Sequence, residues 1–389
     1  MLRKTLGRVP ITSPAAATVF ELVLTQGPVS RVEVARRTGL SSAAVTKVAR
    51  PFIDAGYLTE LTSGRTGPGA GRPASPLAIR PDREYFLGIK ITGDDLIGVV
   101  TDLRADVRAS YHHALGDHEV DHVVAAVAEL VARLLDAGDY RDRTHCLGVA
   151  LSGDVDRESG QVRYSPFLGW RDVPLAELLE DATGLTTTLE NDVKALTVAE
   201  QWFGDGVGAS SFAVVTVGAG IGSALVVGGG VVSGAYGVAG EIGHVPISTA
   251  GPTCHCGGTG CVEAIASTGA IVDRARAVTD EPELTMEQAV GRAREGDPEL
   301  IEVFATAGRA IGLGLAALVN LFGPERVVVS GEGLETFDLF EEHIRTAFLA
   351  QAFGSAGRCA LLLRPLPFEQ WARGAAAVAV RSLFATGQP

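Results

Sequence analysis

The sequence predicts an α/β protein in two parts: a short helical N-terminal region, and a larger body in which one α/β arrangement occurs twice. Apolar residues recur at helical spacing through residues 15–56, whereas strand-like apolar runs with intervening helices begin at Tyr85. Charge divides the chain at the same place. Residues 1–80 carry eleven Lys or Arg and four Asp or Glu, a net +7, although the 389-residue chain has a net charge of −13. The basic first part is therefore the candidate for contact with a polyanion.

Composition narrows the class of protein further. Hydrophobic residues make up 46% and charged residues 20% of the chain, enough to bury a large core and too apolar for disorder. Five cysteines exclude a disulfide scaffold. No positively charged segment followed by an apolar one opens the chain, so we expect a cytoplasmic protein with reduced thiols. Residues 212–232 are uncharged and long enough to span a membrane, but their glycine clusters favour two buried strands joined by turns.

The N-terminal region has the spacing of a helix-turn-helix. A helix is expected over 15–26, a second over 32–39 with Ser30 as its N-cap, and a third from Ser41 to Gly56. Only Gly39 and Leu40 separate the last two helices, and Pro51 should kink the third or limit its regular part. The outward residues of the third helix have side chains suited to base edges and phosphates; they are Ser42, Thr46, Lys47 and Arg50.

Two short strands follow, at 57–61 and 77–79, around a loop rich in Gly, Pro and Arg. Arg65 and Arg72 on such a loop suit a minor groove or a phosphate. The alternative is a purely structural helical bundle followed by a flexible linker. Helix spacing, basic loop and charge contrast agree, so we predict a DNA-binding domain over residues 1–80, which resembles the winged helix-turn-helix of many bacterial repressors.

The body, residues 81–389, is expected to form two α/β lobes, the first at roughly 81–200 together with the C-terminal helix and the second at 201–370. Strands are predicted at 85–91, 96–103, 106–112 and 146–151, and a second set at 212–217, 222–227, 230–234, 326–331 and 360–364. Helices are predicted at 120–137, at about 337–351 and near 369–384. A ligand site between the two halves of this duplicated α/β body is expected.

The strongest local signal is a cysteine-rich segment. His244, Cys254, Cys256 and Cys261 have the spacing H-x9-C-x-C-x4-C. Three thiolates and one imidazole make a closed tetrahedral zinc site, which indicates a structural role for the metal. His255 is an alternative ligand, but it lies between two cysteines and would strain the loop. A set of free buried thiols is the other alternative, and this density of cysteines argues against it.

At these residues the chain resembles the ROK family, named for repressors, open reading frames and kinases. Glu241–His244 forms the family's ExxH, residues 254–263 form CxCGxxGCxE, and further similar segments include 148–156, 190–200 and 318–331. The resemblance implies an actin-like, ribonuclease-H-like body and a structural zinc ion. A winged helix before that body is similar to the repressor branch, whereas the family's kinases usually lack it.

The resemblance also implies a sugar site. Its members would be the sugar-binding pair Asn191 and Asp192, with Asp192 in the place of the kinases' catalytic base, the carboxylates of Glu241 and Glu263, the zinc ligand His244, and the backbone of Gly153. Paired acceptors and an amide suit the many donors of a sugar, because a buried polar group left unpaired is costly.

Departures from the family's kinases lie on the nucleotide side. Lys90 stands where an Asp would hold Mg²⁺, Thr92 replaces a glycine, and Glu332 brings a carboxylate into a Gly-Gly pair. The loop Gly218–Gly220 lacks the usual hydroxyl between its glycines. On the sugar side, Phe167 stands where an Asn is usual.

Two functions follow as hypotheses. The first is a sugar-responsive transcriptional regulator, a repressor of carbohydrate genes with no enzyme activity. It would bind a palindromic operator as a homodimer or homotetramer, respond to a sugar or sugar phosphate, and require no membrane. The second is an ATP-dependent sugar kinase with an appended DNA-binding module. Retention of Asp192 favours the kinase, whereas Lys90 and Glu332 favour the regulator.

Overall fold

The computed structural model describes residues 9–61 and 75–385. They fall into two compact units, one comprising residues 1–207 and 371–389 and the other residues 208–370. The predicted strands at 212–217 and 222–227 form an antiparallel pair inside the second unit, so the alternative of a membrane span at 212–232 is wrong.

The first unit begins with a helical head, defined as residues 9–61 and 75–80. Its elements are α1 (Pro14–Gln26), α2 (Arg31–Thr38), α3 (Ser42–Asp54), β1 (Leu58–Glu60) and β2 (Leu77–Ile79), and the two strands pair antiparallel. The predicted caps are confirmed: the Ser30 hydroxyl accepts from Glu33 N at 3.2 Å and the Ser41 hydroxyl from Ala44 N at 3.1 Å. Gly39 ends α2 at φ +72°, a conformation that glycine adopts without strain. Helix α3 continues through Pro51 by one further turn.

A mixed sheet forms the centre of the first unit. Its five strands are β3 (Tyr85–Ile91), β4 (Asp95–Asp102), β5 (Val107–Ala114), β6 (Thr144–Leu151) and β10 (Thr186–Asn191). Between β6 and β10 the chain forms a small antiparallel sheet of β7 (Asp154–Asp156), β8 (Gln161–Ser165) and β9 (Trp170–Val173). The strand order is β5-β4-β3-β6-β10, with β3, β4 and β5 antiparallel and β3, β6 and β10 parallel. Its helices are α4 (Val120–Asp136), α5 (Leu175–Thr183) and α6 (Asp192–Phe203).

The second unit repeats this arrangement. Its strands are β11 (Ser211–Val217), β12 (Ile221–Val227), β13 (Gly230–Val231), β14 (Arg326–Gly331) and β15 (Ala360–Pro365), and its helices are α7 (Val262–Ala266), α8 (Thr268–Thr279), α9 (Met286–Arg294), α10 (Pro298–Phe322) and α11 (Glu341–Gln351). The order β13-β12-β11-β14-β15, with β11, β12 and β13 antiparallel and β11, β14 and β15 parallel, matches the first sheet strand for strand. The predicted duplication is therefore confirmed.

Helix α10 is the one helix of the described residues that is long and apolar enough to cross a membrane. Two thirds of its most apolar window, 67%, is buried within the structure. Phe304 and Leu315 of this helix are fully buried in the core of the second unit, which explains the apolar character without a membrane.

The chain closes with α12 (Phe368–Ala385), which belongs to the first unit from Trp371 onward. The register of the parallel strands decides where polar residues collect in that unit. Ile91 pairs with Leu151, and Leu151 with Asn191, so β3, β6 and β10 end at the same edge of the sheet. Side chains at or just beyond these strand ends are brought together there.

Candidate ligand, metal and DNA-binding sites

An ion pair occupies the edge of the first sheet. Lys90 of β3 and Asp192, the first residue of α6, are 5% and 6% exposed, and the Lys90 ammonium contacts Oδ2 of Asp192. The Ser152 hydroxyl donates to the same oxygen at 2.5 Å, and the backbone N–H of Val193 donates to Oδ1 at 2.9 Å. The Lys90 ammonium also lies 5.1 Å from the centre of the Trp371 ring, within reach of a cation–π interaction.

This environment keeps Asp192 ionised. Burial alone would raise its pKa, but the charge of Lys90 and the hydrogen bonds from Lys90, Ser152 and Val193 outweigh burial and hold the pKa of Asp192 below its ordinary value of 3.8. A carboxylate with this set of partners is a weak base, because protonating it would leave the buried ammonium of Lys90 unpaired.

Asn191 and Gly153 lie beside the ion pair. The Asn191 side-chain oxygen caps α6 by accepting from the N–H groups of Val193 and Lys194 at 3.1 and 3.2 Å, and its amide donates to the carbonyl of Gly153 at 3.1 Å. Gly153 has φ +129°, and a Cβ there would lie 2.2 Å from the carbonyl oxygen of Tyr164, so no other residue fits. The structure thus brings Gly153, Asn191 and Asp192 together.

The remaining predicted sugar residues, Glu241, His244 and Glu263, lie in the second unit. Glu241 immediately precedes a short 3-10 helix, Ile242–His244. Glu263 is held from two sides: its Oε2 accepts from the N–H of Ile221 at 2.8 Å, and its Oε1 lies 3.1 Å from Nδ1 of His255. Phe167, on the turn after β8 in the first unit, is 46% exposed.

The cysteine-rich segment gathers its donors as a metal site would. Ligand atoms of His244, Cys254 and Cys256 lie within 4.8 Å of one another. Cys254 Sγ is 3.5 Å from His244 Nδ1, and Cys256 Sγ is 3.9 Å from Cys261 Sγ. Tetrahedral zinc, with bonds of about 2.3 Å to sulfur and about 2.0 Å to nitrogen, places such pairs at roughly 3.6 and 3.8 Å. Both measured pairs therefore have separations suited to zinc, whereas the Cys261 sulfur lies outside the group of His244, Cys254 and Cys256 and donates to the carbonyl of His244 at 3.5 Å.

His255 is brought to the same region in a different role. Its side chain is 60% exposed and its Nδ1 faces Glu263, although the ring also lies 5.0 Å from that of His244.

Burial and the neighbouring thiols raise the pKa of Cys261 to about 12, whereas a hydrogen bond from the Gly258 N–H lowers the pKa of Cys256. Thiols in this state become strong ligands only with a cation present, because the metal stabilises the thiolate.

In the second unit the carboxylate of Glu332 contacts the glycine-containing loop at residues 218–220. The N–H of Ala219 donates to Oε1 of Glu332 at 3.2 Å, and a Cβ on Gly218 would lie 2.1 Å from that oxygen. A loop that presents backbone N–H groups beside glycines is suited to phosphate. In this chain an N–H group of the loop donates to Glu332.

The head presents the predicted face of α3. Ser42, Thr46, Lys47 and Arg50 are exposed, whereas Val45, Ala49 and Phe52 are buried beneath them. Arg50 pairs with Asp54 at 2.9 Å, a restraint that the sequence pattern did not reveal. The loop residues Arg65 and Arg72 lie outside the described residues.

The fold agrees with comparisons to known proteins. The chain belongs to the ROK family, whose sequence model matches residues 86–381. It is similar to the DNA-binding transcriptional dual regulator NagC of Escherichia coli K12, at 29% identity over 347 residues that cover 87% of this chain and 85% of NagC.

Two solved structures are also similar. A ROK family transcriptional regulator, described as a homolog of the E. coli Mlc protein, superposes with a TM-score of 0.81 at 27% identity and covers 96% of each chain. A ROK family glucokinase from Streptomyces griseus, in complex with glucose and AMPPNP, gives a TM-score of 0.67 at 28% identity and covers 76% of this chain and 99% of the kinase.

Proposed function

We propose that this protein is a sugar-responsive, DNA-binding transcriptional repressor of carbohydrate genes, and that residues 1–80, which include the head, are its winged helix-turn-helix domain. The share of the chain that each of two kinds of relative covers supports this proposal. A whole kinase of the family corresponds to 76% of the chain, whereas a regulator corresponds to 96%. The family model begins at residue 86, after the basic region and the exposed face of α3.

The buried Lys90–Asp192 pair is the single observation that argues most strongly against kinase activity. A sugar kinase of this family needs an available carboxylate at Asp192 and a metal ion beside the phosphates. Lys90 both neutralises the first and excludes the second, because an ammonium cannot bind Mg²⁺. Glu332 adds a negative charge where phosphate oxygens would need N–H donors.

The kinase alternative is tested by ADP release with glucose, N-acetylglucosamine and xylose as acceptors, the sugars named for the glucokinase, an N-acetylglucosamine repressor of Escherichia coli and a putative xylose repressor of Caldicellulosiruptor to which the chain is similar. We expect no turnover above a no-sugar blank. ADP release that requires sugar and disappears in Asp192→Asn would establish the kinase instead. The matched control, Asp94→Asn, changes an exposed carboxylate near the same strand end and should have no effect in either case.

For the sugar site we propose Gly153, Asn191, Asp192, Glu241, His244 and Glu263. Asn191 and Asp192 supply acceptors at a helix start, and Glu263 is fixed by the Ile221 N–H. Since Nδ1 of His244 faces Cys254, its Nε2 is the nitrogen for a sugar hydroxyl. Asp192 bonded to Lys90 gives this end of the site both an acceptor and a cation, which suits a sugar or a sugar phosphate.

The effector is identified by thermal shift with glucose, N-acetylglucosamine, xylose, glucose 6-phosphate and N-acetylglucosamine 6-phosphate, followed by operator binding with each hit. We expect one of these compounds to raise Tm and to change the affinity for a palindromic sequence from the protein's own promoter region. If the protein binds operator DNA but none of the five compounds changes its Tm or its DNA affinity, it would remain a repressor without a sugar response.

We also propose that the four donors bind a structural zinc ion and that the protein acts as a homodimer or homotetramer. The support for zinc is the donor set, three thiols and one imidazole, of which His244, Cys254 and Cys256 lie within 4.8 Å of one another and Cys261 lies 3.9 Å from Cys256. The ion would join the segment that carries His244 to the segment that starts α7, and so hold Glu241 and Glu263 in place from both sides.

A further inference from the structure

The head is packed into the body of the first unit through aromatic rings. Phe20 of α1 stacks on Phe384 of α12 with ring centres 5.8 Å apart, and Trp202 of α6 meets the same Phe384 edge-on at 5.1 Å. Phe20 is fully buried and Trp202 is 5% exposed. One continuous hydrophobic core therefore includes the head and both helices.

The two helices that end at these rings begin at the proposed ligand site. Asp192 is the first residue of α6, which runs to Phe203, next to Trp202. Trp371, near the start of α12, lies under the Lys90 ammonium, and Phe384 is near the end of the same helix. The helices α6 and α12 thus run side by side from the Lys90–Asp192 pair to the head.

The packing between these helices leaves little freedom. A Cβ on Gly374 of α12 would lie 2.9 Å from the backbone nitrogen of Leu196 in α6. A Cβ on Gly88 or Gly148 would lie 2.0 or 1.9 Å from carbonyl oxygens of α12. Backbone meets backbone at all three places, so a shift of α6 or of the sheet edge must be followed by α12, because close-packed interiors transmit displacement.

We infer that Phe384 is the positioning residue through which the state of the Lys90–Asp192 pair reaches the DNA-binding head. The inference rests on the proposed function, because it takes α6 and α12 to connect a ligand site with a DNA-binding head. Rearrangement of the pair moves the starts of α6 and α12, and their far ends carry the ring contacts that hold Phe20. A second head–body contact, the Tyr57 hydroxyl donating to Glu84 at 2.8 Å, involves neither helix.

The test is hydrogen exchange on the full-length protein, which needs neither sugar nor DNA. Lys90→Met perturbs the site, and amides of α1 in the head are compared with amides of α10 in the second unit as an internal reference for global stability. We expect exchange in α1 to quicken on the order of tenfold relative to α10, an effect within the range of coupling between contacting residues.

The same change is then made in two further backgrounds. In Phe384→Met, which keeps apolar volume without the ring, Lys90→Met should add nothing to the exchange of α1. In Tyr57→Phe, which removes the hydrogen bond to Glu84, its effect should persist. The inference is overturned if Lys90→Met leaves α1 unchanged relative to α10, or if its effect survives in Phe384→Met. A missing sugar response would refute the proposed function and leave this outcome standing.

Discussion

At the scale of single residues, the charge of Lys90 weakens the carboxylate of Asp192 as a base. The family resemblance implies that Asp192 takes the place of the kinases' catalytic base, and the sequence alone leaves its role open. The structure pairs it with Lys90, at 5% exposure, and with the Ser152 hydroxyl at 2.5 Å. A group that is already ionised, paired and buried has lost the proton affinity that general-base chemistry needs.

Lys90→Met should destabilise the protein with a characteristic pH dependence. Removing one partner of a buried pair costs ~3–5 kcal/mol of unfolding free energy. In the wild type the folded pKa of Asp192 is depressed, so its contribution is full above the unfolded pKa and is lost as pH falls through the folded pKa. In the variant burial raises the pKa instead, so stability should fall as pH rises.

Urea unfolding at about pH 4.5 and about pH 8 measures this difference, and the loss should be larger at the higher pH. The control is Lys90→Met with Asp192→Asn, which removes the titrating group and should cancel the added pH dependence. An equal loss at both pH values in Lys90→Met would show that Asp192 does not titrate as the pairing requires.

Cys256→Ser should remove the metal and lower thermal stability. Cys256 bridges the cluster, because its sulfur belongs to the group with His244 and Cys254 and lies 3.9 Å from Cys261. Since metal binding contributes directly to folding free energy, loss of a ligand should lower Tm by several degrees. Elemental analysis and a thermal melt give both quantities.

The matched control for that prediction is Cys359→Ser, a cysteine of the same unit outside the cluster. It should keep one zinc per chain. Absence of zinc from freshly purified wild-type protein, prepared without chelator, would contradict the proposed metal site.

At the scale of elements, local signals were predictable and distant pairings were not. The caps Ser30 and Ser41 and the stop at Gly39 follow from residue type, because each acts within a few positions of the chain. The small sheet β7–β9 has short strands of mixed polarity and was missed. The predicted helix at about 337–351 begins only at Glu341, after a 3-10 segment.

The candidate site shows the same division. The donors of the metal cluster lie within 18 residues of one another and have a recognisable spacing. The contact of Lys90 with Asp192 joins positions 102 residues apart, and that of Ala219 with Glu332 joins positions 113 apart. Sequence analysis found all four residues, but only the register of the parallel strands shows which of them meet.

Lys47→Ala tests α3 as the DNA-contacting element. Lys47 is exposed on the face that also presents Ser42 and Thr46. If it contacts a phosphate, the variant should bind operator DNA more weakly, and the slope of log K against log salt should fall by about 1. Gel shifts at several salt concentrations measure both quantities. Arg141→Ala removes an exposed charge from the body and should change neither.

At the scale of the whole molecule, we propose that the duplicated sheets bind the ligand and that the head binds DNA. The two sheets share strand order and orientation, and each has a charged side chain at or just beyond a strand end, Lys90 in one and Glu332 in the other. If these charges abolish phosphate transfer, as we propose, the free energy of ligand binding can act on DNA affinity, as a regulator requires.

Reciprocity between the two ligands is the strictest test of this reading. If a sugar changes operator affinity by a given factor, operator DNA must change sugar affinity by the same factor, because both describe one coupling free energy. Titration calorimetry of the effector identified by thermal shift, with and without operator duplex, measures one side, and gel shifts with and without that effector measure the other. A coupling of about 1–3 kcal/mol, or roughly 5- to 150-fold, is expected. A factor of one in both titrations, meaning that neither ligand changes the affinity for the other, would refute the link between sugar and DNA binding.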